Sequence, residues 1–418
     1  YASCERLYRP DLQETPVIVL SNNDGCIVAL TKEAKAIGLA RGNPFFQVKE
    51  IANRHHVAVF SSNYPLYESI SKRVMALLKE RVDGITQYSI DESFFTVQSA
   101  DQAWCERLWK EMSQSTGMPL VVSVARTKTL AKAGEESCKH TSLPALFVSE
   151  EREEEILRKT KIADVWGIGW RNAPKLQAQG IATAWDLTGK DVIWLRKRLG
   201  INGVKTYMEL KGRNQISIEE PERQSICSGI SFGSAITTKE GLKEAASCHC
   251  MTLSEKLHQH HLMAGTITLM AFTDRFRDDF ICPMGMLRLT SPSFYTPDLV
   301  KATDRIIDSV YRTGRYKGCR IWATDLTREG DRQLLLEDDE PRQEKYRKQD
   351  KLEATVEDIH KRYGRDSLTI GATTMKGKKD LMRQQRLSPH YTTRISDLPV
   401  ANRNTIAVHF SKGKEDFK

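Results

Sequence analysis

No run of this chain approaches the roughly 18 consecutive apolar residues that a helical membrane span needs, and nothing at its visible start reads as a secretory leader. The nine cysteines are an odd number scattered from Cys4 to Cys319, which makes no disulfide framework and suits a reducing compartment. Zinc-finger and zinc-ribbon spacing is also missing. The one dense group of soft ligands, Cys248, His249, Cys250, His258, His260 and His261, falls on a helical pattern in which Leu242, Ala246, Cys250, Leu253 and Leu257 recur every three or four residues. That pattern reads as a buried helix stripe with histidines around it rather than a metal site. The expectation is a soluble, cytoplasmic protein without structural metal.

What is present is length and a modest basic excess. The 418 residues allow two to four domains, and 63 Lys plus Arg against 54 Asp plus Glu give a formal charge of +9. That balance suits a phosphate backbone but is also common in proteins that touch none.

Ser89-Ile90-Asp91-Glu92 carries more information than any other stretch. Two adjacent carboxylates sit between the β-type runs Thr86 to Ile90 and Phe94 to Val97, at what reads as a hairpin tip. Side by side the acids repel, whereas a hard cation such as Mg²⁺ takes one or two carboxylates together with phosphate oxygens. A solvated acidic turn is the bland alternative.

Around the hairpin the pattern is mixed helix and strand. A helix with Trp104, Leu108 and Met112 on one side is followed by the apolar strand Leu120 to Val124. Earlier, β runs at Val17 to Leu20 and Cys26 to Leu30 flank a turn at Asn23-Asp24-Gly25, and a helix begins near Thr31. The charged run Glu150 to Glu155 reads as a break before a helical region. There Trp166-Gly167-Ile168-Gly169, a helix from Asn172 to Gln179, and Gly180-Ile181 read as a helix-hairpin-helix, whose Gly167 and Gly169 would bring backbone amides to a phosphate. An ordinary αα turn fits the same residues.

Between about 228 and 328 the order is βαββαβ, with strands near Ile230 to Ile236, Thr266 to Phe272, Met286 to Thr290 and Arg320 to Leu326. Its second helix is expected to have Thr296 as N-cap and Pro297 at the first position, with a stripe of Leu299, Thr303, Ile306 and Val310. Beyond about 330 the chain turns polar and reads as a largely flexible tail with one helix near 349 to 362.

Several segments resemble Y-family DNA polymerases in order and spacing. They are Tyr1-Ala2-Ser3-Cys4-Glu5, Pro16 to Leu20, Glu33 to Gly38 with Gly42-Asn43-Pro44, Tyr67 with Ser71, Ser89 to Glu92, Thr127 to Lys132, and Asp164 to Gly169. Ser21 to Gly25 and Leu387 to Arg394 are similar to the UmuC branch, the catalytic subunits of bacterial DNA polymerase V. The resemblance implies an α+β right hand: palm at 1–10 and 76–162, fingers at 11–75, thumb at 163–221, little finger at 228–328, and a partner-binding tail at 329–418. It implies error-prone, template-directed translesion synthesis in the SOS response by two-metal nucleotidyl transfer, with two Mg²⁺ ions on Asp91 and Glu92. Tyr1 matches the steric gate under the nucleotide sugar, and Lys139 matches the lysine on the triphosphate. Lys32 and Lys35 stand where other branches place Tyr-x-x-Arg, so Lys35 keeps the charge without the fork.

Implied partners are damaged primer-template DNA, deoxynucleoside triphosphates, a UmuD-prime-like dimer and RecA. Gln333, Leu334 and Leu336 resemble a Gln-Leu-x-Leu-Phe sliding-clamp peptide with Glu337 in place of the aromatic. Family members carry Asp-x-Asn-x-Phe immediately before the Tyr-Ala-Ser, and that Asp is a third metal-binding carboxylate. This sequence opens at Tyr1, so we expect a truncated sequence, with a catalytically silent DNA-binding subunit as the alternative.

Overall fold

The computed structural model describes residues 1–218, 223–331, 340–363, 367–369, 371, 383–392 and 397–398. Among the described residues the strands fall into four sheets. The first holds β1 (Val17–Leu20), β2 (Ile27–Leu30) and β3 (Ala58–Ser61) in the order β2-β1-β3, with β2 antiparallel and β3 parallel to β1. All four residues of β1 are fully buried, as a central strand covered on both faces requires. Between β1 and β2 the chain turns through Asn23 and Asp24 at φ 64° and 53°, a left-handed conformation that Asn and Asp tolerate better than other side chains.

β4 (Asp83–Gln87) and β5 (Ser93–Thr96) form the antiparallel hairpin, and β6 (Val122–Val124) pairs in parallel with β7 (Ala145–Phe147). The hairpin strands lie earlier in the chain than the expected runs: Ile90 falls in the turn, where the Tyr88 and Ser89 amides both donate to the Glu92 carbonyl at 3.0 Å.

The fourth sheet, in the order β10-β9-β11-β8, is built from β8 (Ile226–Ile236), β9 (Leu262–Phe272), β10 (Met284–Ser293) and β11 (Tyr316–Arg328). The helices Lys239–Gln259 and Thr296–Val310 cover one face, so βαββαβ stands, with longer strands than the pattern predicted. Small residues hid the missing ends. A Cβ on Gly265 would come within 2.8 Å of the Asp325 carbonyl, and one on Gly318 within 2.6 Å of the Ile230 carbonyl, so glycine is needed where it reads as a breaker. The second helix also starts one residue early, with Tyr295 at the cap position. The amide of Thr296 donates to Glu353 Oε1 at 2.7 Å, so a carboxylate from a distant helix takes the capping role.

One expectation is corrected. The acidic run is no break: Glu150–Lys159 is a helix, its first-turn acids matching the positive helix end and its Ile156 and Leu157 buried. After 330 the expected helix is present and begins earlier than its predicted start. Glu340–Tyr363 is a single helix paired to the Lys239–Gln259 helix through His258 with Glu357 and His360 Nδ1 with Glu255 Oε1 at 2.9 Å. Residues 383–391 lie against the N-terminal region. Tyr391 stacks on Tyr8 with centroids 4.8 Å apart, and Asn63 Nδ2 donates to Ser388 Oγ at 2.9 Å. Polar sequence hid this packing because its contacts reach residues 99 to 325 positions away through hydrogen bonds, and further still through the Tyr8–Tyr391 stack.

Candidate active site

A cavity of about 450 Å³ opens beside the acidic hairpin. Tyr1, Asp91 and Glu92 line it from one side, Lys132, Glu135 and Lys139 from the other, over an apolar floor that includes Leu108 and Met112. The β4–β5 turn presents the acids, and Ser89 Oγ donates to Asp91 Oδ1 at 2.6 Å. The lysines come from the Lys128–Thr141 helix, whose N-cap Thr127 accepts from the Leu130 amide. Lys132 Nζ meets Glu92 Oε1 at 2.8 Å and also reaches Glu135. Lys139 Nζ lies 2.8 Å from Glu135 Oε1 and 3.2 Å from Glu136 Oε2. The result is an alternating chain of acid and base across the cavity.

Burial works against charge on both lysines, but their hydrogen bonds to the glutamates outweigh it and raise both pKa values. The same balance holds the Glu135 carboxyl below its ordinary value. Tyr1 stacks on Tyr67 at 4.4 Å with rings 13° apart. Its phenol is pushed up, first by burial, then by the charges of Tyr64 and Asp91. Beneath it the Tyr67 hydroxyl donates to the buried Glu5 Oε1 at 2.6 Å, and burial raises the Glu5 carboxyl.

Trp166 brings the glycine loop beside the hairpin: its ring packs 5.4 Å from Phe94 and its Nε1 donates to the Tyr88 hydroxyl at 3.3 Å. Gly167 has φ +89°, and a Cβ there would lie 2.6 Å from Thr206 Oγ1, so this glycine answers to packing. Gly169 has open space where a Cβ would stand, and so room for a backbone approach. The helix expected from Asn172 to Gln179 is only Ala173–Gln177.

Of the residues named from sequence, the structure gathers Tyr1, Asp91, Glu92 and Lys139 in one cavity and sets the Gly167 to Gly169 loop alongside. It does not bring Lys35 there. Lys32 and Lys35 are exposed on the short Lys32–Ala36 helix, which buries Ala34 instead. Gln333, Leu334 and Leu336 lie outside the described residues. Sequence reasoning gave no role to Glu135, whose spacing three after Lys132 and four before Lys139 was the available signal. It also passed over Glu209. This fully buried acid of the Val192–Leu210 helix accepts from Thr129 N at 2.9 Å and from Gln215 N and Ile216 N at 3.0 Å, fixing the start of the lysine-bearing helix.

The impB/mucB/samB family matches residues 1–136 and its C-terminal domain residues 223–336. Protein UmuC of Salmonella typhimurium is 33% identical over 413 residues, covering 95% of this chain and 97% of that protein. The chain belongs to the impB/mucB/samB family of Y-family DNA polymerases. Protein MucB of Escherichia coli is 31% identical, covering 96% of this chain and 97% of that protein. DNA polymerase IV 1 of Bacillus subtilis is 24% identical, covering 90% and 91%. Among solved structures, a Dbh-Dpo4-Dbh Y-family polymerase chimera superposes with TM-score 0.61 at 18% identity, over 78% of this chain and 96% of its own, which shows a shared fold. Residues 350–401 match a domain of unknown function, DUF4113, and so take in the carboxylate that caps Thr296 and the segment beneath Tyr8.

Proposed function

We propose that this chain performs error-prone, template-directed DNA synthesis across damaged bases, with the cavity beside Asp91 and Glu92 as its nucleotidyl-transfer site. The observation that carries the reading is the gathering of Tyr1, two acids and two lysines in one cavity next to a glycine loop. In this reading β4 to β7 and the helices around them are the palm, the β1-β2-β3 unit the fingers, the Gly167 loop and its helices the thumb, and the four-stranded sheet the little finger.

The donor set fits a hard divalent cation. Asp91 and Glu92 offer adjacent carboxylate oxygens, and Glu92 already takes a cation, the Lys132 ammonium, at 2.8 Å. Two Mg²⁺ ions held there would stabilise charge on the attacking and leaving oxygens. The chain's own residues do the rest. Lys139 neutralises the departing pyrophosphate. Tyr1, held flat by its stack on Tyr67, bars a 2′-hydroxyl by bulk. Ser89 fixes the rotamer of Asp91. Open backbone at Gly169 meets a DNA phosphate without regard to sequence. A UmuD-prime-like dimer and RecA belong to this proposal as partners of the working polymerase, and pull-down with each tests them separately.

Primer extension by the full-length protein with Mg²⁺, four deoxynucleotides and a template carrying one damaged base decides the assignment. Extension past the lesion that disappears in Asp91→Ala and in Glu92→Ala, with primer-template affinity kept within a few-fold, is the expected outcome. Robust extension by either variant refutes the site.

A further inference from the structure

Ser61-Ser62-Asn63 ends β3 and enters the Tyr64–Lys79 helix, and it should be wet: three polar residues in a row. Instead they are 0%, 2% and 1% exposed. The cover is the chain's own segment 383–391. Ser61 N donates to the Arg386 carbonyl at 2.9 Å and Ser61 Oγ accepts from Arg386 N at 3.0 Å, a two-way exchange at the end of β3. Asp24 accepts from Gln385 N at 3.1 Å and from Ser61 Oγ at 2.6 Å. The Asn63 amide holds Ser388, which is 4% exposed, and Tyr391, 6% exposed, closes the contact on Tyr8. Arg386 lies over the Phe45 ring at 5.4 Å.

The other end of the same C-terminal region is fastened elsewhere. The Glu340–Tyr363 helix grips the four-stranded-sheet unit through Glu353 on the Thr296 amide and through the two His–Glu pairs with the Lys239–Gln259 helix. Asn23 links segment 383–391 to the four-stranded sheet: its Oδ1 accepts from Arg383 N at 2.8 Å, and its Nδ2 donates to the Ser231 carbonyl on β8. Where few contacts cross between units, relative motion is the default. A second covalent route between them, anchored at both ends, restricts it by raising the effective concentration of one unit at the other.

We propose that the region matched as DUF4113 is an intramolecular clasp. The surface made by Tyr8, Asn23, Asp24, Ser61 and Asn63 is a docking site whose occupant is residues 383–391, and its occupation holds the four-stranded-sheet unit against the N-terminal unit. The inference does not depend on the polymerase site and needs no nucleotide to test.

The test uses the whole chain with Ser388→Arg/Tyr391→Ala, changes confined to the clasp so that the N-terminal core keeps its own residues. Hydrogen exchange should show the Ser61 amide losing about tenfold or more of its protection, since its acceptor departs. Small-angle scattering should show a larger maximum dimension. Asn23→Gly, which keeps the left-handed backbone but removes the amide, is the second variant and should move scattering the same way. Unchanged exchange at Ser61 overturns the docking. Faster exchange with an unchanged scattering profile in both variants overturns the clasp, because the segment would then merely cover the surface.

Discussion

Glu209→Gln should loosen the start of the lysine-bearing helix more than any single change in the cavity itself. Glu209 is fully buried; one of its oxygens takes Thr129 N at 2.9 Å and Thr129 Oγ1 at 3.2 Å, and the other takes Gln215 N and Ile216 N, both at 3.0 Å. An amide keeps the shape but turns one acceptor oxygen into a donor. With the NH₂ toward Gln215 and Ile216, two amide donors lose their acceptor; turned toward Thr129 it orphans only Thr129 N, because the hydroxyl can accept instead. The less costly orientation loses about 1 to 3 kcal/mol. The lower figure alone makes local opening about 5-fold more frequent. Exchange at Thr129, Gln215 and Ile216 reads that directly, and a chain of several domains is better followed this way than by one melting temperature. Because Lys132 and Lys139 ride on the same helix, nucleotide addition should fall with it. Unchanged exchange at all three amides refutes the assignment of Glu209 as the anchor.

Lys139→Ala should raise the KM for the incoming nucleotide and lower the addition rate with primer-template affinity intact; loss of DNA binding alone would place the lysine on the duplex instead. Tyr1→Ala should raise ribonucleotide incorporation far more than it lowers that of deoxyribonucleotides, measured side by side on one template, and unchanged sugar selectivity removes the gate. Burial, helped by Lys256, depresses the His249 imidazole from 6.5 to about 4. The folded state therefore refuses a proton that the unfolded chain accepts near 6.5, so stability is intact above that pH and falls as pH drops toward 4, by about 3 kcal/mol from this group. His249→Gln should flatten denaturant midpoints across that window, and an unaltered slope rejects the attribution.

Local chemistry made much of this legible in one dimension. Thr31, Asp101, Thr127 and Thr238 each cap the helix that follows them, and the Leu242, Ala246, Cys250, Leu253 and Leu257 stripe is buried as its spacing required. Asp91 and Glu92 stood out because adjacent acids at a hairpin tip repel unless a cation joins them, and the segments around them weighed against a solvated turn. Lys35 rests on motif register alone: it is exposed on a five-residue helix and does not line the cavity. Glu209 and the Asn63–Ser388 pair were illegible for another reason. The contacts of Glu209 with Thr129 and of Asn63 with Ser388 span 80 and 325 residues, and no periodicity encodes a hydrogen bond across that separation.

The pairing of Asn63 with Ser388 also sets a timetable. At about 5 to 20 residues per second, a ribosome that has made Asn63 needs roughly 15 to 60 s more to make Ser388. Throughout that interval Ser61 and Asn63 are without the Arg386 and Ser388 partners that cover them in the folded chain. The cover over the end of β3 is therefore among the last contacts of the N-terminal unit to become available.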